Sequence, residues 1–154
     1  MATTANRGDE ARNIGQTLAL VIGATYVLVG LVGFLVTGFD DFAGVTNKRL
    51  IFFEINPLHN IVHLLIGAAG VAMWKRRDTA RAYGVALAVG YGLTFLYGLA
   101  VANKDTSSNF LSLNGADNIL HLGSALAGVA IVMLLSRTTT TMPSSDRSRS
   151  GERV

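Results

Sequence analysis

The sequence predicts an all-α integral membrane protein, a four-helix bundle made of two repeated transmembrane helix hairpins. Three observations lead there. Half of the 154 residues are hydrophobic, only 15% are charged, and the mean hydropathy is +0.41; soluble domains carry about a quarter charged residues. Four apolar runs alternate with polar segments. Finally, the chain matches itself at an offset of 58 positions: Asn56 falls on Asn114, Asn60 on Asn118, Ile61 on Ile119, His63 on His121, Leu64 on Leu122 and Gly70 on Gly128.

Composition narrows the function further. The length fits one domain. With no cysteine, disulfides, thiol catalysis and Cys-based metal sites are excluded. The net charge of +3 does not mark a nucleic-acid binder, because the basic residues sit in short flanks between apolar runs.

Taken in order, residues 1–13 read as a polar, disordered N-terminal tail. Ile14–Val36 carries no charge and exceeds the roughly 20 residues that a spanning helix needs. It is too long for the core of a signal peptide, and Gly38-Phe39-Asp40-Asp41 makes a poor cleavage region. Residues 37–56 form the longest internal loop. Phe39, Phe42, Phe52 and Phe53 suit the membrane–water boundary, and Leu50–Phe53 is expected to lie along that surface. The second span is 58–74: Asn56 is an N-cap residue, Pro57 fits the first helical position, and Lys75-Arg76-Arg77-Asp78 stops the run. The third span, 80–102, is rich in Gly and Tyr. After a polar loop, Asn114 caps the fourth span, 118–135, with Asp117 placed to reach back to the cap N–H. Residues 136–154 read as a disordered Ser/Thr/Arg-rich tail.

Four spans put both termini on one side. That side carries Arg7, Arg12, Lys75, Arg76, Arg77, Arg81, Arg137, Arg147, Arg149 and Arg153; the other carries Lys48, Arg49 and Lys104. Ten against three predicts a cell-membrane, multi-pass protein with cytoplasmic termini. The motifs then face outward. The first and third spans also match weakly, Tyr26 on Tyr91, Leu28 on Leu93 and Gly33 on Gly98, which extends the repeat to a whole hairpin.

Asn60, His63, Gly67 and Gly70 share one seam of the second span; Asn118, His121, Ala125 and Gly128 repeat it on the fourth. Small residues allow close helix approach, and Asn and His hydrogen-bond across such contacts. The expected packing joins the second and fourth spans through these seams, with Asn118 serving His63 and Asn60 serving His121. The polar cluster comprises Asn56, His59, Asn60, His63, Asn114, Asp117, Asn118 and His121.

The plain reading of this cluster is a structural hydrogen-bond network. Ionisable residues within spans also mark functional sites. For a divalent metal, the ligand candidates are His59, His63, His121, Asp117 and Glu54. For haem, His63 and His121 are the two axial candidates. No phosphate-binding loop or nucleophile elbow occurs, and no catalytic residues are assigned. Ser124 and the tyrosines Tyr83, Tyr91 and Tyr97 read as packing residues.

At Asn56-Pro57-Leu58-His59-Asn60-Ile61-Val62-His63-Leu64, and again at Ala116-Asp117-Asn118-Ile119-Leu120-His121-Leu122, the chain resembles domain-of-unknown-function family 4383, small four-span membrane proteins common in actinobacteria. The resemblance covers roughly residues 12–135. It implies fold and location and transfers no activity. The functional expectation is therefore a non-enzymatic structural or accessory membrane component, with a metal- or haem-binding redox component using His63 and His121 as the alternative. Expected partners are the lipid bilayer and, beyond it, other membrane proteins or a second copy of the chain, with no nucleic acid.

Overall fold

The computed structural model describes residues 4–136, and the expected tail beyond Ser136 lies outside them. Four helices follow one another: α1 Thr4–Thr37, α2 Pro57–Met73, α3 Arg77–Val101 and α4 Gly115–Ser136. A two-stranded antiparallel hairpin, β1 Arg49–Leu50 and β2 Phe53–Glu54, interrupts the loop between α1 and α2.

Two sequence expectations need correction here. The stretch 4–13 is helical, because α1 begins at Thr4; an apolar run locates a span but not the polar turns that extend the same helix. Leu50–Phe53 does not simply lie along a surface. It makes a tight turn, with Ile51 at φ +61°, that presents the exposed side chains of Ile51 and Phe52.

Segments of α1, α3 and α4 are long and apolar enough to cross a membrane, and they mark a membrane protein. Helix α2, at 17 residues, is apolar but shorter. Large apolar side chains such as Leu35, Leu93, Leu99, Ile119 and Met133 point outward, where a lipid solvent accepts them.

The inward faces are built from small residues. On α1 the buried stripe is Gly15, Ala19, Gly23, Tyr26, Gly30, Gly33 and Thr37, at the three-and-four spacing of one helix face. Helix α1 packs chiefly on α2, and α3 on α4. A β-carbon on Gly23 would lie 2.7 Å from Val71 N, and one on Gly128 would lie 2.5 Å from Ala88 N. Backbone meets backbone at both crossings, as in close-packed membrane helices.

The expected contact between the second and fourth spans is not there. Among the described residues no Cα of α2 comes within 8 Å of one in α4. Gly67 and Gly70 pack on Gly23 and Val27 of α1, with Tyr83 also against Gly70; Gly128 packs on Gly84 and Ala88 of α3. The seams are real, but each faces the other helix of its own hairpin, because α1 and α3 offer the matching small residues.

Gly38 ends α1 at φ +61°, its N–H bonding Phe34 O at 2.9 Å, the left-handed helix stop that glycine adopts without strain. At the opposite end of the bundle the last carbonyls are covered by side chains. Gln16 Nε2 donates to Trp74 O and Lys75 O at 3.0 and 2.7 Å, and Arg77 Nε donates to Leu135 O at 2.9 Å.

Candidate functional site

The polar cluster separates into three layers with different work. The outermost is a cap made by the loops 38–56 and 102–114. Asn56 is the N-cap of α2, accepting from His59 N at 2.9 Å. Its Nδ2 donates to Gly44 O and to Phe110 O, at 2.9 and 2.7 Å. Asn114 caps α4 in the same way: its Oδ1 accepts from Asp117 N, and Asp117 Oδ2 accepts from Asn114 N, both at 3.0 Å. This is a reciprocal capping arrangement. Asn114 Nδ2 donates to Phe52 O at 2.8 Å. Each cap asparagine thus reaches into the loop that precedes the other motif, and Phe52 and Phe110 occupy matching positions.

The middle layer locks each hairpin. Asn60 donates to Thr37 Oγ1 at 2.9 Å, and its amide oxygen fills the place a β-carbon would take on Gly33. The amide oxygen of Asn118 does the same at Gly98. The two asparagines therefore serve their own hairpins, not the histidines of the other copy as expected.

The inner layer is the histidine cluster. His59, His63 and His121 are all buried, and one ring nitrogen from each lies within 4.8 Å of the others. Ring centroids are 4.5 Å apart for His59–His63 and 6.0 Å for His59–His121. Helices α2 and α4 thus contribute to one site although their backbones stay apart, because imidazoles bridge the gap between them. Tyr26 and Tyr91 complete it. They stack on each other at 5.3 Å, Tyr26 lies 5.0 Å from His63, and Tyr91 lies 5.3 Å from His121. Tyr26 was missed in the sequence as a site residue, although its match to Tyr91 was visible. Ser124 does more than pack: its hydroxyl makes a 2.5 Å bond with that of Tyr26.

The hydrogen bonds of the imidazoles are uneven. His59 Nδ1 donates to Leu111 O at 3.1 Å. Among the described residues neither nitrogen of His63 has a partner, nor does His121 Nδ1. Buried polar atoms are ordinarily satisfied, so each such orphan calls for an explanation.

Two of the metal-ligand candidates stand elsewhere. The Asp117 carboxylate is taken up by Asn114 N and by Glu54 N, the latter at 3.1 Å. Glu54 pairs with Arg49 at 2.6 Å across the β-hairpin.

No curated protein and no solved structure matches the chain. The profile of one family, described as a domain of unknown function (DUF4383), matches residues 16–134, which takes in the caps, both asparagine locks and all three histidines. The chain belongs to that family, DUF4383.

Proposed function

We propose that this protein is a four-pass membrane protein that binds a divalent transition metal at His59, His63 and His121, just beneath its outer cap. The observation that carries this reading is the hydrogen-bond pattern of the three imidazoles. They converge while buried, and neither nitrogen of His63 nor Nδ1 of His121 has a protein partner among the described residues. A purely structural network would need these rings to bond one another or nearby side chains. His59 also shares a feature usual for a metal-bound imidazole, an N–H held by a backbone carbonyl, here Nδ1 on Leu111 O.

Neutral imidazole suits zinc, copper, iron and nickel, and three such ligands leave further coordination positions open. Metal–nitrogen bonds of about 2.0–2.1 Å around a tetrahedral ion place nitrogens about 3.3 Å apart, so the rings have little distance to close. Haem fits less well, since Tyr26, Tyr91 and His59 crowd the flanks of His63 and His121 where a macrocycle would lie.

The architecture is read as two copies of one helix hairpin. The reciprocal asparagine bonds to Phe52 O and Phe110 O and the paired locks at Gly33 and Gly98 support that reading. Their axis runs between Tyr26 and Tyr91 along the membrane normal. The excess of basic residues at the other end of the bundle supports cytoplasmic termini in the cell membrane. Reporter fusions after Arg77 and Arg137 are then cytoplasmic and one at Lys104 external; a cytoplasmic Lys104 overturns the orientation.

Cobalt(II) tests the site itself. Loaded into purified protein, it is expected to give the intense visible bands of low-coordinate cobalt, and these disappear in His63→Ala. A spectrum like that of aqueous cobalt, unchanged by the substitution, overturns the metal reading.

A further inference from the structure

The two ends of the bundle treat their cations differently. At the cap end the protein holds all three. Lys48 Nζ donates to Thr37 O at 2.6 Å, Lys104 Nζ donates to Ala100 O at 2.5 Å, and Arg49 pairs with Glu54. At the opposite end Trp74, Lys75 and Arg76 join α2 to α3. Lys75 and Arg76 are exposed, and among the described residues neither side chain has a hydrogen bond or an ion pair.

The carbonyls of this link are all occupied from within the protein. Thr79 Oγ1 lies 2.6 Å from Met73 O and 3.0 Å from Arg76 O. Ala80 N also donates to Arg76 O, and Gln16 Nε2 covers Trp74 O and Lys75 O. What the link offers outward is therefore positive: two cationic side chains, beside the start of α3, where Arg76 makes no side-chain cap bond. Asp78 is the single carboxylate between residues 74 and 81. Arg81 carries the positive edge onto α3, its Nε donating to Ser136 Oγ at 3.0 Å. Further along the same face, at four-residue steps, stand Val85, Val89 and Leu93, exposed by 44%, 57% and 62%.

We infer that this edge binds anionic phospholipids, with headgroups at Lys75, Arg76 and Arg81 and acyl chains along the face of Val85, Val89 and Leu93. Long basic side chains at the end of a spanning helix reach the headgroup level while their stems stay on apolar surface. The unpaired cations select a headgroup with net negative charge, since a zwitterionic one brings its own cation. The aliphatic face beyond Arg81 selects a lipid over free phosphate. Each basic residue near an anionic membrane surface strengthens attraction by about fivefold. Nothing in this site depends on the histidines, so it stands apart from the metal reading.

Native mass spectrometry tests it. The full chain is released from detergent micelles containing phosphatidylglycerol or phosphatidylcholine with identical acyl chains. Phosphatidylglycerol is expected to stay bound at collision energies that strip phosphatidylcholine. Its apparent affinity is expected to fall about fivefold in Lys75→Gln and in Arg76→Gln, and further in the double variant. Neither side chain bonds to the protein, so these variants keep the fold, which circular dichroism checks. Lys48→Gln and Lys104→Gln, at the cap end, are expected to bind as the wild type does. Excess inorganic phosphate is expected to leave the lipid in place. Equal retention of the two lipids, wild-type affinity in the double variant, or an equal loss in the cap-end variants overturns the inference. Displacement by inorganic phosphate also overturns it, leaving a phosphate site in place of a lipid site.

Discussion

The two hairpins, α1–α2 and α3–α4, agree at their asparagines and at His63 and His121, and part at His59. Asn56 and Asn114 both cap a helix and bond the opposite loop. Asn60 and Asn118 both sit on a glycine of the neighbouring helix. Where the first hairpin has His59, however, the second has Asp117. His59 turns toward the imidazole cluster and holds Leu111 O; Asp117 turns outward and ties Asn114 N and Glu54 N into the cap. The matched asparagines cap and lock the helices. The disagreement supplies the third imidazole, and without it the centre would have only His63 and His121.

Substitutions at matched positions probe the agreement. The largest effects are expected from Gly70→Leu and Gly128→Leu. A β-carbon on Gly70 would lie 2.8 Å from both Gly23 Cα and the Tyr83 ring, and one on Gly128 would lie 2.5 Å from Ala88 N. Each is expected to destabilise the fold by at least about 1–3 kcal/mol, because backbone cannot yield as a side chain does. Unfolding titrations in mixed micelles measure this. A large effect at Gly70 and none at Gly128 would break the equivalence of the hairpins.

Removal of a cap comes next. Asn56→Ala and Asn114→Ala each lose an N-cap, which is worth about 1 kcal/mol. Asn56 is expected to cost more, since its Nδ2 serves both Gly44 O and Phe110 O while Asn114 Nδ2 has Phe52 O. The same titrations rank the two, and the reverse order would mean that the cap is held mainly from the α4 side.

The smallest change is expected from Asn60→Ala. It loses the bond to Thr37 Oγ1, and side-chain bonds of this kind between membrane helices average about 0.6 kcal/mol. Thr37→Val should cost about as much, and the double variant little more than either single one. Additive losses would show that the two residues act separately.

Much of this arrangement was legible in the residues. The apolar runs located all four helices. Asn56-Pro57 and Asn114 with Asp117 announced two helix starts, and the motif offset paired His63 with His121, which join one cluster. The neighbours of the seams were not legible. A row of small residues shows that something packs closely there but not which helix does. Gly15, Ala19, Gly23, Gly30 and Gly33 on α1 carried the missing signal, at the same spacing as the motif seams. The bond from Glu54 N to Asp117 was hidden for a related reason. Glu54 lies on a two-residue strand, too short for any alternation to show, and the Glu54 N to Asp117 bond joins residues 63 apart in the chain. Nor does spacing reveal that imidazoles can meet across two helices whose backbones stay apart.

The metal content of the protein as isolated tests the central claim most directly. Elemental analysis of detergent-purified wild-type protein, prepared without chelator, is set beside His63→Ala and His121→Ala purified in parallel. The expected result is one transition-metal ion per wild-type chain, lost from both variants while their helical circular dichroism is retained. Equal background metal in all three folded proteins would contradict the claim and leave the three histidines as packing residues.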